Sequence, residues 1–156
     1  MTEVKVVLLG DSAVGKTALA RRFVDDDFVE TYKPTAAARP WKRTLDYKGK
    51  KMKLAIWDIA GHTLQLHPAF YSGAKAGILV CDLTSKSSAD SLSQWHNVLL
   101  NKVGIIPVVV VANKADLNPE YDIDYIKQFG YDCIKASAKT GDGVEDAFRA
   151  LADTLL

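Results

Sequence analysis

One glycine-containing segment, residues 10–17, constrains the fold of this chain more than any other part of the sequence. It reads Gly-Asp-Ser-Ala-Val-Gly-Lys-Thr and fits the pattern G-x-x-x-x-G-K-[ST] of a phosphate-binding P-loop. Residues 4–9 before it are almost entirely apolar, as in a strand buried on both faces. Residues 18–24 after it are rich in helix formers. Because a P-loop joins a strand to a helix, this context favours the motif over a chance loop with a lysine.

A P-loop holds phosphate oxygens with its backbone N–H groups and with the positive N-terminus of the helix that follows. The glycines at its two ends let the backbone approach the phosphate closely. Lys16 is long enough to reach the β- and γ-phosphates, and Thr17 can offer its hydroxyl to Mg²⁺. The predicted phosphate-binding residues are Ser12, Ala13, Val14, Gly15, Lys16, Thr17 and Ala18.

The length and composition narrow the class of protein. A chain of 156 residues suits one domain over residues 1–156. The formal net charge of +1 gives no footprint for nucleic acid, so we expect no nucleic-acid partner. The longest apolar run, residues 105–112, is too short to span a bilayer, and Thr2 excludes N-myristoylation of this sequence. Cys81 and Cys133 fall in predicted strands, where we expect buried, reduced thiols of a cytoplasmic protein.

Apolar runs alternate with helical patterns along the chain, which predicts an α/β fold with a parallel sheet. The predicted strands lie near residues 3–9, 40–47, 50–57, 77–82, 107–112 and 131–136. The later predicted helices cover residues 88–102, 122–129 and 144–155. Residues 47–50 are typical of a hairpin turn, and Pro40 is tolerable only in an edge strand. Trp95 and Phe148 are expected in the core.

A second motif separates guanine from adenine. The segment Asn113-Lys114-Ala115-Asp116 follows a predicted buried strand, at the carboxyl edge where open α/β sheets bind ligands. The carboxylate of Asp116 can accept from both N1–H and the N2 amino group of guanine, a pair that adenine lacks. Asn113 can meet guanine N7, and the Lys114 stem can lie along the ring plane. A backbone N–H of the loop after the next strand can reach guanine O6; this loop contains Ser137, Ala138 and Lys139.

A third motif is the segment Trp57-Asp58-Ile59-Ala60-Gly61. Asp58 ends a predicted strand beside the P-loop strand and can hold Mg²⁺ through a water molecule, because magnesium keeps several of its waters. The backbone N–H of Gly61 can contact a γ-phosphate, and this glycine can act as a hinge. Such a short motif is weak evidence by itself. It becomes strong evidence here because it follows the P-loop by about forty residues and ends the strand predicted beside it.

With these motifs in place, the sequence resembles a Ras-superfamily small GTPase, most like the Rab branch, over essentially all of its length. The segments that carry the resemblance are residues 10–17, 28, 32–35, 57–61, 71–74, 113–116 and 137–139. The resemblance implies a three-layer P-loop NTPase fold of the α/β class, with a six-stranded, mostly parallel sheet flanked by five helices. It also implies a molecular switch that binds GTP or GDP with Mg²⁺ and hydrolyses GTP slowly.

The resemblance assigns further residues by position. Phe28 is expected to pack on the guanine opposite Lys114, and Tyr32 to lie against the nucleotide. Thr35 is expected to bind Mg²⁺ and the γ-phosphate in the GTP state only. Residues 30–39 and 59–72 are expected to move when the γ-phosphate is lost. Effectors, exchange factors and GTPase-activating proteins are expected to contact residues 30–45 and 59–75, and we expect no membrane anchor in this chain.

The chain departs from the family pattern in both predicted moving segments. Residues 36–38 are all alanine where relatives have an aliphatic residue and glycine, and Pro40 stands where Rab members have phenylalanine. Trp41 substitutes for that aromatic residue, or it is a core or surface anchor. His62 follows Gly61 where relatives have the glutamine that orients the attacking water.

His62 leaves two functions open. With Lys16 and Gly61 it is a candidate catalytic residue of a GTP-hydrolysing switch, since histidine occupies the corresponding place in translational GTPases. Alternatively it is a poor substitute, and the chain is a GTP-binding scaffold with negligible hydrolysis. A P-loop kinase or ATPase is disfavoured by the guanine motif. The sequence does not decide whether a longer chain carries a lipid-modified tail.

Overall fold

The computed structural model describes residues 3–26, 39–59 and 70–155, apart from the side chain of Arg39, and alternates strands with helices. The strands are β1 (Glu3–Leu9), β2 (Arg39–Tyr47), β3 (Lys50–Asp58), β4 (Ala76–Asp82), β5 (Val108–Asn113) and β6 (Cys133–Lys135). The helices are α1 (Lys16–Asp25), α2 (Lys86–Asp90), α3 (Leu92–Lys102), α4 (Asp124–Lys127) and α5 (Val144–Leu155). All six predicted strands are therefore present; β1 has its predicted ends, and the other strands differ by at most two residues at either end.

The strands form one six-stranded sheet in the order β2-β3-β1-β4-β5-β6. All neighbours are parallel except β2 and β3, which form an antiparallel hairpin at the edge of the sheet. Pro40 lies in this edge strand, as its missing N–H requires. Lys48 and Gly49 form the hairpin turn with φ angles of 50° and 77°, the left-handed pair that matches the twist of the strands. The predicted fold class is confirmed.

Two apolar clusters cover the two faces of the sheet and make three layers. On one face, α1 and α5 pack on the sheet, and the rings of Phe23 and Phe148 stack with centroids 3.8 Å apart. Trp41 is partly buried and packs against this cluster from β2. On the other face, α3 and α4 bury Trp95, Leu99 and their neighbours. Trp95 and Phe148 are thus core residues, as predicted.

The predicted helix over residues 88–102 is wrong in one respect, because it is divided into α2 and α3 at Ser91. The hydroxyl of Ser88 donates to the carbonyl of Ser85, and that of Ser91 donates to the carbonyl of Ser87. Serine side chains that bond to nearby carbonyls compete with a continuous helical ladder. The short helix α4 is likewise only Asp124–Lys127 of the predicted 122–129.

Both cysteines are buried and free. Burial raises the pKa of the Cys81 thiol to about 11 and that of the Cys133 thiol to about 12, so both stay protonated near neutral pH. Among the described helices, none combines the length and apolar character that crossing a membrane requires.

Candidate nucleotide-binding site

Parallel strands bring the predicted motifs to one edge of the sheet. Asp58 at the end of β3 lies opposite Leu8 of β1, just before the P-loop. Asp82 at the end of β4 lies opposite Asn113 at the end of β5. The carboxyl ends of four neighbouring strands therefore face the same region, which is where open α/β sheets bind ligands.

The P-loop connects β1 to α1, whose first helical residue is Lys16. Gly15 has a left-handed φ of 99°, and a Cβ there would lie 2.2 Å from the Nδ2 atom of Asn113. Only glycine fits this position without displacing Asn113. Gly15, the N-cap residue of α1, makes no side-chain cap, and the N-terminus of a helix is a place where anions bind.

Lys16 is almost completely buried, and its ammonium group folds back over the loop. Its Nζ atom donates to the carbonyl oxygens of Gly10, at 3.0 Å, and of Asp11, at 2.9 Å. Burial lowers the pKa of Lys16, while the charges of Asp58 and Asp11 oppose that shift. The loop thus holds a desolvated cation, which favours binding of an anion beside it.

Asn113 joins the P-loop to the loop that follows β6. Its Nδ2 atom donates to the carbonyl of Val14 at 2.9 Å, and its Oδ1 atom accepts from the backbone N–H of Ala138 at 3.1 Å. The side chain is 2 % exposed, so both bonds are shielded from water. These bonds bring the two predicted binding loops together. The predicted contact of Asn113 with guanine N7, and that of the loop N–H with O6, stay predictions.

Lys114 connects the P-loop to the end of β4. Its ammonium group donates to the carbonyl of Ala13 at 2.9 Å and forms an ion pair of 2.8 Å with Asp82. The other carboxylate oxygen of Asp82 accepts from the backbone N–H of Thr84 at 2.7 Å and from its hydroxyl at 2.6 Å. These two contacts fix the ammonium group of Lys114, and the side chain lies along one wall of the pocket.

Asp116 is held by Ser137, whose hydroxyl donates to its Oδ1 atom at 2.7 Å. The same hydroxyl accepts from the backbone N–H of Thr140 at 3.1 Å, which fixes its direction. A cavity of about 230 Å³ opens beside these residues, and it is lined by Gly15, Ala18, Asn113, Lys114, Asp116, Leu117, Ala138 and Lys139. Predicted residues from three separate segments thus line one pocket.

Thr17 and Asp58 meet at the other end of the site, where the Thr17 hydroxyl donates to the Asp58 carboxylate. Asp58 is completely buried at the end of β3. A hydroxyl and a carboxylate are the oxygen ligands that Mg²⁺ accepts, so this pair fits the predicted metal. The third predicted ligand, Thr35, lies outside the described residues.

The family model of the Ras family matches residues 5–156 of this sequence. The chain belongs to the Ras family. It is 35% identical to the Ras-related protein Rab-13 of Canis lupus familiaris, over 97% of this chain and 79% of that protein. It is 34% identical to Rab-18 of Lymnaea stagnalis over 100% of this chain and 82% of that protein. It is also 35% identical to the GTP-binding protein YPT53 of Saccharomyces cerevisiae, over 96% of this chain and 75% of that protein.

Membership of the Ras family confirms the predicted Rab-like small GTPase and its P-loop NTPase fold. As a Ras-family protein the chain binds guanine nucleotides and is a GTP-binding switch with GTPase activity. Five predicted residues of the switch, Phe28, Tyr32, Thr35, Gly61 and His62, lie outside the described residues. Their roles stay predictions.

Sequence reasoning missed two residues that position the base pocket in this Ras-family chain. Arg22 of α1 donates from Nε to the carbonyl of Ala138 at 2.8 Å and from a terminal nitrogen to that of Lys139 at 2.6 Å. Asp82 holds Lys114, as described above. The sequence did contain a signal for Asp82, because an aspartate ends the predicted strand β4 just as Asp58 ends β3. No sequence signal connects Arg22 to a loop more than 100 residues away.

Proposed function

We propose that this protein is a guanine-nucleotide switch that binds GTP and GDP together with Mg²⁺ and hydrolyses GTP slowly to GDP. The observation that carries the proposal is the pair of hydrogen bonds that joins the Asn113 side chain to Val14 and to Ala138. It joins the phosphate loop to the pocket that contains Asp116, so one ligand with both a phosphate chain and a base fits the site.

Guanine selectivity rests on Asp116 in this proposal. The Ser137 hydroxyl already fixes the direction of its carboxylate, so little freedom is lost when a base binds. A site that pairs with N1–H and N2–H₂ leaves its carboxylate acceptor without donors when adenine replaces guanine. Such sites discriminate by factors of about 10⁴ or more.

The phosphate end uses Lys16 and the start of α1. Lys16 would exchange the two carbonyl oxygens that it now contacts for phosphate oxygens when GTP binds. Thr17, Asp58 and Thr35 would hold Mg²⁺, which when bound supplies positive charge to the phosphate oxygens. The Lys16 ammonium adds to that charge through direct hydrogen bonds.

Hydrolysis needs a water molecule in line with the bond to the γ-phosphate. We assign its orientation to His62 and a backbone contact with the γ-phosphate to Gly61. The intrinsic rate is slow because the segment 24–35 contains no arginine that could neutralise charge on the γ-phosphoryl oxygens. A GTPase-activating partner supplies that arginine and contacts residues 59–75. Effectors and exchange factors bind residues 30–45 and 59–75.

A nucleotide analysis of the purified protein tests this proposal. We expect GDP or GTP to co-purify, and a fluorescent GDP analogue to be displaced by GDP but not by ADP. EDTA should speed its release and lower the melting temperature, because a ligand at 1,000 times its Kd stabilises by about 4 kcal/mol. Single-turnover phosphate release then measures hydrolysis. Equal displacement by ADP would overturn guanine selectivity, and release of no phosphate over many hours would overturn the enzyme assignment.

A further inference from the structure

A buried tryptophan of α3 contacts the P-loop from a distant part of the sequence. The indole Nε1 atom of Trp95 donates to the Oδ1 atom of Asp11 at 2.9 Å, across 84 positions of the chain. The Trp95 side chain is only 2 % exposed and packs in the cluster on the α3 and α4 face of the sheet. The bond therefore runs from the core to the loop that binds phosphate.

Asp11 also contacts Lys16, the cation of the same loop. Its backbone carbonyl accepts from the Lys16 ammonium at 2.9 Å, and its carboxylate charge raises the pKa of Lys16 against the effect of burial. One residue thus binds the indole through its side chain and the ammonium through its backbone. A shift of the Asp11 side chain would move the carbonyl that Lys16 uses.

We propose that Trp95 is a positioning residue for nucleotide binding: through its hydrogen bond to Asp11 it holds the P-loop backbone and Lys16 in the arrangement that receives the phosphates, and so slows nucleotide release. This inference rests on the proposed binding of guanine nucleotide at the P-loop. Trp95 itself does not touch the ligand and acts only through Asp11.

The rigidity of α3 supports this role. Leu92 and Leu99, on the same face of α3 as Trp95, are both almost fully buried against the sheet. The indole therefore has a fixed position relative to β1, where the P-loop begins. A loop tied to such a fixed point loses less freedom when it closes on a ligand, which favours tight binding. If Trp95 served only to fill the core, an aromatic ring without a donor would be sufficient, and the indole N–H would not be needed.

A double-mutant cycle separates the hydrogen bond from the packing. Trp95→Phe keeps an aromatic ring but removes the donor, and Asp11→Ala removes the acceptor. Each should speed release of a fluorescent GDP analogue, in excess GDP and Mg²⁺, by about tenfold, which is a change of 1.4 kcal/mol. The double variant should be no faster than Asp11→Ala alone, because Trp95→Phe removes only a bond that Asp11→Ala has already removed. Asp11→Asn keeps an acceptor oxygen and should stay closer to the parent than Asp11→Ala.

Leu45→Ala is the control for lost core packing. Leu45 is almost fully buried in the cluster on the α1 and α5 face and pairs with Met52 in the β2–β3 hairpin, away from α3. Its truncation should lower the melting temperature and leave the release rate near that of the parent. If Trp95→Phe behaves like Leu45→Ala, or if the two variants of the cycle add, Trp95 is only a core residue and the inference fails.

Nuclear magnetic resonance gives a second readout that packing would not move. The chain has three tryptophans, and the indole N–H signal of Trp95 is the one that Trp95→Phe removes. This signal should shift between the GDP-bound and nucleotide-free protein, and Asp11→Ala should move it in both forms. A signal unchanged by Asp11→Ala overturns the inference. A parent that does not bind GDP at all overturns the proposed function instead, and the effect of Asp11→Ala on this signal still tests the contact.

Discussion

Asn113 occupies the space that a side chain on Gly15 would need. The Nδ2 atom of Asn113 lies 2.2 Å from the position of a Cβ on Gly15, and the same atom donates to the carbonyl of Val14. The P-loop and the guanine motif therefore pack directly against each other. A change at either residue is expected to disturb both ends of the site.

We predict that Gly15→Ala destabilises the fold and removes nucleotide binding. The left-handed φ of 99° and the overlap with Asn113 together should cost about 3 kcal/mol, or roughly 10 °C in melting temperature. Gly130→Ala is a matched control, since its φ is 90° but no described atom lies within 4 Å of its Cβ position. It should cost only about 1 kcal/mol and leave GDP binding intact. Equal losses in the two variants would contradict the overlap.

Asp116→Asn is expected to weaken GDP binding by about 3 kcal/mol, because the buried donors of guanine lose a charged acceptor. The asparagine amide can donate to the additional C2 carbonyl of xanthine, so the variant should relatively favour xanthine nucleotides. Competition of GDP, XDP and ADP against a fluorescent analogue measures the change. An unaltered preference for GDP over ADP would show that Asp116 does not read the base.

Asp82→Asn should weaken binding without changing which base is preferred. Lys114 would lose the carboxylate that lies 2.8 Å from its ammonium group, and its stem would be less well fixed beside the pocket. We expect about a tenfold loss of GDP affinity, which is roughly 1.4 kcal/mol, with the ratio of GDP to ADP binding retained. Loss of the ratio as well would mean that Asp82 acts on Asp116 rather than on Lys114 alone.

His62 should make hydrolysis depend on pH. A neutral imidazole can accept a hydrogen bond from the attacking water through its unprotonated nitrogen, whereas the protonated ring can only donate. The reference pKa of histidine is about 6.5, and a nearby phosphate raises it. Single-turnover hydrolysis should therefore increase with pH across a step between about 5.5 and 8.5.

The control for this step is His62→Ala, which should be slower, should lack the step and should bind GTP with little change. Hydrolysis by this variant at the parent's rate and with the parent's pH profile would show that His62 takes no part in catalysis.

The fold could be predicted from the sequence because most strands appear in it as clear apolar runs. β1, β4 and β5 are buried on both faces and appear as apolar runs, and the turn at Lys48 and Gly49 carries its own signal. The division of the helix at Ser91 was missed because it depends on which serine hydroxyls bond to carbonyls. Helical periodicity alone does not report such local competition.

The sequence predicts the motifs of the site, but it does not predict the residues that hold those motifs in place. The guanine motif has a fixed spacing, because its side chains must contact one base. The sequence therefore shows Asn113, Lys114 and Asp116 directly. Arg22 makes two hydrogen bonds, and Trp95 makes one, to residues far along the chain, and these contacts depend on how α1 and α3 pack. Trp95 was correctly predicted as a core residue, but its donor and its acceptor meet only in the folded chain.

The antiparallel hairpin of β2 and β3 has a kinetic consequence. Tyr47 and Lys50 pair across a two-residue turn, whereas β1 must find β3 with Leu8 opposite Asp58. Closing short loops is fast, and pairing strands far apart in sequence is slow. We therefore expect the hairpin to form first and to be already present in the transition state, in which the parallel strands begin to pair. Gly49→Ala, at φ 77°, should then slow refolding more than it speeds unfolding, and the opposite result in stopped-flow measurements would place the hairpin late.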